Sequence, residues 1–155
     1  MNNVVVVDAS IAIKWVLYEP DSATAKALLA EWIDKETVIL APALLAYEIT
    51  NSLYQKTRRG EITVDRARLA LMTVLTTDLV FDSFQGSSLS IRALEFAHRF
   101  NLPATYDSHY LALAERESCE LWTADTRLWN SIKGKLPWVR WMGDYSAPTN
   151  RKEEL

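Results

Sequence analysis

Apolar residues along the chain alternate between two rhythms. Val4-Val5-Val6-Val7 is a short β-branched run, the composition of a parallel strand buried on both faces. Val38-Ile39-Leu40, Leu121-Trp122-Thr123 and Val139-Arg140-Trp141 read as further short strands, with another over residues 79–84. Between these runs the spacing lengthens to helical periods. The pattern predicts a first helix over 11–17, capped by Ser10 and closed by Pro20, and a second from Asp21 or Ser22 to about residue 36. A third begins near Pro42 and runs to about residue 59, where Gly60 stops it. A fourth covers 63–76, with Ala67, Leu71 and Leu75 on one stripe, and a fifth runs from Ser87 or Ser88 to residue 100. The sixth follows Pro103 over about 106–118, and a short seventh covers about 125–131. Short apolar strands alternating with helices predict an α/β fold around a mostly parallel sheet. No repeat or linker divides the chain, so residues 1–145 are expected to form one domain and 146–155 a flexible tail.

Parallel sheets bind ligands beyond the carboxyl ends of their strands. Asp8 directly follows the first strand, and Asp125 follows 121–124. Alone, each would pass for a helix cap. Glu48 lies early in the third helix on a polar face with Asn51, Ser52 and Gln55, opposite Leu45, Ile49 and Leu53. Asp107 opens the sixth helix, where the dipole favours a carboxylate. Together the four acids belong to one edge of the sheet. Clustered carboxylates raise one another's pKa unless a cation neutralises them, and all-oxygen donors select Mg²⁺ or Mn²⁺ over zinc. Such a centre suits phosphodiester hydrolysis.

The segments Val-Asp8-Ala-Ser10, Ala-Tyr-Glu48-Ile-Thr-Asn51, Thr-Tyr-Asp107-Ser-His-Tyr-Leu-Ala-Leu-Ala-Glu and Thr123-Ala-Asp125-Thr-Arg-Leu, in this order, resemble the PIN domain. More narrowly, residues 4–142 resemble the VapC-type toxins of toxin–antitoxin operons. That resemblance implies a three-layer α/β/α sandwich and a Mg²⁺- or Mn²⁺-dependent endoribonuclease. It also implies a homodimer and an antitoxin whose C-terminal segment enters the active-site groove. Asp8, Glu48, Asp107 and Asp125 match the family's acidic quartet. Ser10 and Thr123 match supporting hydroxyl positions, and Asn51 a polar position beside the acid of the third helix. Asp8 and Asp107 would hold a first ion, with Asp125 and Glu48 completing its shell through water or holding a second.

The remaining chemistry is thinner. Lys56, Arg58 and Arg59 close the third helix, where basic residues also suit the dipole; contact with the RNA backbone is the sharper reading. Arg127, two residues after Asp125, is a further phosphate candidate, and Lys133, Lys135 and Arg140 form a weaker basic group. Of the two histidines, His109 lies on a different helix face from Asp107 and reads as structural. Of the six tryptophans, Trp122 should be core, and Trp129, Trp138 and Trp141 are better read as packing than as base-stacking platforms. Leu69, Leu71, Met72 and Leu75 offer either an antitoxin surface or core. Phosphatases of the haloacid-dehalogenase type also open on a strand ending in Asp, but need an acid where this chain has Ser10. A non-toxin PIN nuclease of RNA processing and a silent PIN scaffold stay open as alternatives.

Composition bounds these readings. The 155 residues are 49% hydrophobic and 24% charged, as in an ordinary globular domain. A single cysteine, no signal-like N-terminus and no long apolar run predict a cytoplasmic protein without a membrane span. The net charge of −3 excludes a broad basic nucleic-acid-binding coat. Setting the four acids aside leaves +1, and bound divalent ions would make the same groove attractive to phosphate.

Overall fold

The computed structural model describes residues 3–83 and 88–148. Five parallel strands form one sheet in the order β3-β2-β1-β4-β5. β1 (Val4–Val7) is central, pairing with β2 (Val38–Pro42) on one side and β4 (Glu120–Thr123) on the other. β3 (Leu79–Asp82) and β5 (Val139–Trp141) are the edges. Val5, Val6 and Val7 are buried, as a strand covered on both faces requires. The chain builds outward from β1 through β2 to β3, then returns to the other side of β1 for β4 and β5. The reversal leaves a crevice beyond the carboxyl ends of β1 and β4, where open α/β sheets take ligands.

Helices flank the sheet: α1 (Ala9–Ala12), α2 (Ser22–Asp34), α3 (Leu44–Arg58), α4 (Val64–Leu75), α5 (Ser88–Arg99), α6 (Tyr106–Arg116) and α7 (Thr126–Ile132). The architecture is the three-layer α/β/α sandwich expected. α6 lies over the middle of the sheet against β1, β2 and β4, with α5 packed on it. Its Tyr110, Leu111, Ala112, Leu113 and Ala114 are consecutive buried residues, so that helix is covered nearly all round. No helix among the described residues is long and apolar enough to cross a membrane.

Three local expectations change. The first helix is only α1, continued by a 3-10 turn over Ile13–Trp15, and Asp8 rather than Ser10 caps it. Asp8 is extended (φ −93°, ψ 173°) and its carboxylate accepts from the Ser10 amide at 3.1 Å, which brings Ser10 inside the helix. Pro42 ends β2, and Ala43 caps α3; proline's fixed φ suits an extended strand end as well as a first helical turn. On α4 the buried row is Ala70 and Val74, with Ala67 and Leu71 of the predicted stripe packed beside it, while Leu75 of that stripe is exposed along with Leu69 and Met72. That helix packs on α3 rather than on the sheet, so its contact stripe is narrow. Gly60 does close α3, with φ 73°. The predicted extension of β3 to Phe84, the Ser87 cap and most of the C-terminal tail lie outside the described residues.

Candidate active site

Four elements bring their acids to the crevice between β1 and β4. Asp8 leaves β1, and its amide donates to the Trp122 carbonyl of β4 at 3.4 Å. The residue is only 3% exposed, and its carboxylate is held by two hydroxyl relays. In the first, the Ala124 amide donates to Ser10 Oγ at 2.9 Å, and Ser10 Oγ donates to Asp8 Oδ1. In the second, the Asp125 amide donates to Thr123 Oγ1 at 3.0 Å, and that hydroxyl donates to Asp8 Oδ2. Each hydroxyl accepts from a backbone amide, so its single proton is directed at Asp8. Both hydrogen bonds are strongest to the ionised carboxylate and so favour it.

Those donors oppose burial without overcoming it. Desolvation pushes Asp8 up to about 7, against the two hydroxyl hydrogen bonds that lower it, and the fields of Asp107 and Asp125 add to the rise. Glu48, in the second turn of α3, is raised by burial and by the charges of Asp107 and Asp125, while its hydrogen bond to Tyr110 pulls the other way. Asp107, in the first turn of α6, is raised by burial and then by Asp125. Every charge acting on these three acids is another carboxylate. Asp125 caps α7, accepting from the Arg127 and Leu128 amides at 2.8 and 3.1 Å. Capping and membership of the acidic set are therefore compatible for both Asp8 and Asp125.

Tyr110 went unassigned from sequence. It is fully buried on α6, and its hydroxyl donates to Glu48 Oε1 at 2.5 Å, bridging α6 to α3. Its position three residues after Asp107, hence on the same helix face, is the one signal that could have found it. His109 Nδ1 donates to the Thr105 carbonyl at 2.6 Å and Nε2 lies 3.3 Å from Ser90 Oγ, a structural engagement. Trp122 is buried core, Trp138 packs edge-on to Phe96, and Trp129 stacks on Trp141.

The other sequence candidates are polar residues of α3 and α7. Asn51 is exposed on α3, and Arg127 has an exposed side chain at the start of α7. Lys56 lies 3.4 Å from Glu61 and 3.7 Å from Glu19, Arg59 lies 2.5 Å from Glu61, and Arg58 reaches Gln55 at 3.5 Å.

Among the described residues no three acidic, histidine or cysteine side chains are close enough to hold one ion together as they stand. The donor set nonetheless fits a hard divalent cation. It is all oxygen, it is faced by no basic side chain, and its most buried member is destabilised as an anion in a way that a cation would relieve. Asp8 Oδ1 is fully used by the Ser10 hydroxyl and amide, whereas Oδ2 takes one hydrogen bond and keeps a lone pair.

The fold and site together define a class of protein. A model of the PIN domain matches residues 5–134, and the chain belongs to that family. No curated protein sequence matches it. Among solved structures it is similar to a chain of a toxin–antitoxin complex from Klebsiella pneumoniae, at 17% identity and a TM-score of 0.61, covering 88% of this chain and 95% of that one. VapBC2 from Rickettsia felis, bound to a DNA fragment from its promoter, is similar at 14% identity and 0.64, covering 89% and 96%. VapC20 from Mycobacterium tuberculosis, a toxin that cleaves the sarcin-ricin loop, follows at 20% and 0.55, covering 74% and 83%. At these identities the likeness is one of fold.

Proposed function

We propose that this PIN-family protein is a Mg²⁺- or Mn²⁺-dependent endoribonuclease, the toxin of a toxin–antitoxin pair, acting in the cytoplasm. One observation carries the reading: in the β1–β4 crevice Asp8, Glu48 and Asp107, from separate elements, feel the charges of neighbouring carboxylates and of no basic side chain. A structural role would have supplied an arginine or lysine. Asp8 and Asp107 would hold the cation, with Glu48 and Asp125 completing its shell. When bound, such an ion lowers the pKa of water and neutralises charge on a phosphoryl group. Ser10 and Thr123 fix the Asp8 carboxylate and favour its ionised form. Tyr110 fixes Glu48 from the opposite side. His109, engaged by Thr105, is not the base.

The toxin role is supported by the toxin–antitoxin assemblies among the similar folds. A homodimer and an antitoxin belong to the same reading, and exposed Leu69, Met72 and Leu75 on α4 offer apolar surface for the antitoxin. Arg127, Lys56, Arg58 and Arg59 are its RNA-contact candidates.

Incubation of purified protein with total RNA tests the chemistry: cleavage with Mn²⁺ that EDTA abolishes is expected, and cleavage indifferent to EDTA overturns it. Induced expression in a host cell tests the biology. Growth arrest reversed by the neighbouring gene product is expected of a toxin; growth without arrest refutes that role.

A further inference from the structure

We propose that the groove between the end of α1 and α3 binds the phosphodiester backbone of RNA next to the acidic site, and that Glu19 occupies the place of a phosphate in the free protein. The identity of the ligand rests on the nuclease reading above. The groove, about 430 Å³, begins at Ser10, whose hydroxyl donates to Asp8. Lys14 and Glu19 form one wall; Asn51, Gln55, Lys56 and Arg59 form the other. Along α3 these residues follow Glu48 at helical spacing, so the wall leads away from the acidic site. At 1.5 Å per residue, Glu48 and Lys56 are about 12 Å apart along the axis.

Charge inverts along that path. The crevice gathers four carboxylates, whereas three cations and one carboxylate line the groove. The lysines are held in readiness rather than spread into solvent, their side chains 14% exposed for Lys14 and 23% for Lys56. Lys14 Nζ lies 2.5 Å from Glu19 Oε2 and 2.9 Å from Asp21 Oδ1. Lys56 Nζ lies 3.7 Å from Glu19 Oε1 and 3.4 Å from Glu61 Oε2. Glu19 therefore places one oxygen toward an ammonium on each wall, as the two free oxygens of a backbone phosphate would. Its main chain is tied, its amide donating to Ser22 Oγ at 2.9 Å, so the side chain can leave the lysines without moving the backbone.

Partly exposed ion pairs are weak, so a polyanion displaces such a carboxylate readily. When Glu19 leaves, Asp21 still pairs with Lys14 and Glu61 with Lys56, so no lysine is stranded. Binding is then an exchange of anions. Free lysines would attract any acid; here only a ligand that supplies phosphates along the groove outcompetes the resident carboxylate.

Fluorescence anisotropy of the full chain with a fluorescein-labelled ten-nucleotide oligouridylate, in EDTA and over a salt series, tests the exchange. Glu19→Gln is expected to tighten binding about two- to fivefold, the worth of a partly exposed ion pair. The double variant Lys14→Gln, Lys56→Gln is expected to weaken it and to lower the log–log salt slope by about 1.4, at about 0.7 per phosphate contact. Should that variant not fold, Lys56→Gln alone is expected to lower the slope by about 0.7. Unchanged or weaker binding by Glu19→Gln, or an unchanged slope, overturns the proposal. Equal binding of a ten-residue polyglutamate overturns its assignment to nucleic acid. If the affinities follow expectation but total RNA stays uncut with Mn²⁺, the nuclease reading fails and the groove stands. If RNA is cut while Glu19→Gln changes nothing, the groove fails alone.

Discussion

Asp8 and Asp82 stand at the carboxyl ends of strands two places apart in the same parallel sheet, and their surroundings are opposite. Asp82 ends the edge strand β3 and receives a bidentate Arg116, whose nitrogens lie 2.6 and 3.2 Å from its two oxygens. Asp8 ends the central strand β1 and receives only hydroxyls and an amide, all neutral. One helix serves both: α6 carries Asp107 in its first turn, toward the acidic site, and Arg116 in its last. A carboxylate at a strand end is therefore not a site by position. What marks a site is that the fold brings it more carboxylates and withholds the cation.

That contrast breaks most severely at Asp8. Asp8→Asn keeps the shape but loses the charge, and RNA cleavage should fall by at least about a hundredfold, as when one preorganised electrostatic group is lost. An unchanged circular dichroism spectrum with cleavage at the level of the parent would place the chemistry elsewhere.

The next effect is on stability. Asp8 keeps its proton in the folded protein up to about 7 but releases it near 3.8 when unfolded. The folded state thus binds more protons between these values, and stability falls as pH rises from about 4 to about 7. The loss is at most about 4 kcal/mol. Glu48 and Asp107, also raised by burial, act with the same sign. Urea melts in EDTA at pH 5 and 8 should show the difference, and Asp8→Asn or saturating Mg²⁺ should shrink it. Equal stability at both pH values with the native Asp8 refutes this account.

Tyr110→Phe is a subtler change. It removes the donor to Glu48 and little packing, costing about 1 kcal/mol of stability. Because it orients a ligand rather than touching RNA, kcat should fall about tenfold with KM unchanged. A rise in KM alone would argue against positioning. The smallest effect belongs to Asp82→Asn, which releases an exposed arginine: about 1 kcal/mol or less by thermal melting, with cleavage unaltered. A variant that lost activity here would dissolve the distinction between the two strand ends.

Most of the framework was legible along the chain. The all-valine run and the apolar runs of β2 and β4 mark the three inner strands because a doubly covered strand needs continuous apolar residues, whereas the edge strands β3 and β5 are part-exposed. The acids at their ends stand out for the same reason. Less legible was the detail of α1, where Asp8 and Ser10 are both good caps and only the close approach of β4 decides between them. On α4 the predicted stripe holds at Ala67 and Leu71, which pack on the core, but not at Leu75, which is exposed, since periodicity shows that a helix is amphipathic but not how wide a surface meets it. The basic end of α3 gave no sign in sequence of an acidic partner, yet Glu19, some forty residues earlier, pairs with Lys56.

The order and type of residues determined the alternation of strands and helices, the places where strands stop, and a full set of acids in the spacing of the PIN motifs. The tertiary structure decided what each of those acids feels. Desolvation and Coulomb fields depend on burial and on distance through space, and Asp8 and Thr123 are 115 positions apart in the chain while sharing a hydrogen bond. Whether a carboxylate meets an arginine, as Asp82 does, or only other carboxylates, as Asp8 does, is settled when strands are ordered in the sheet. No periodicity along the chain records that.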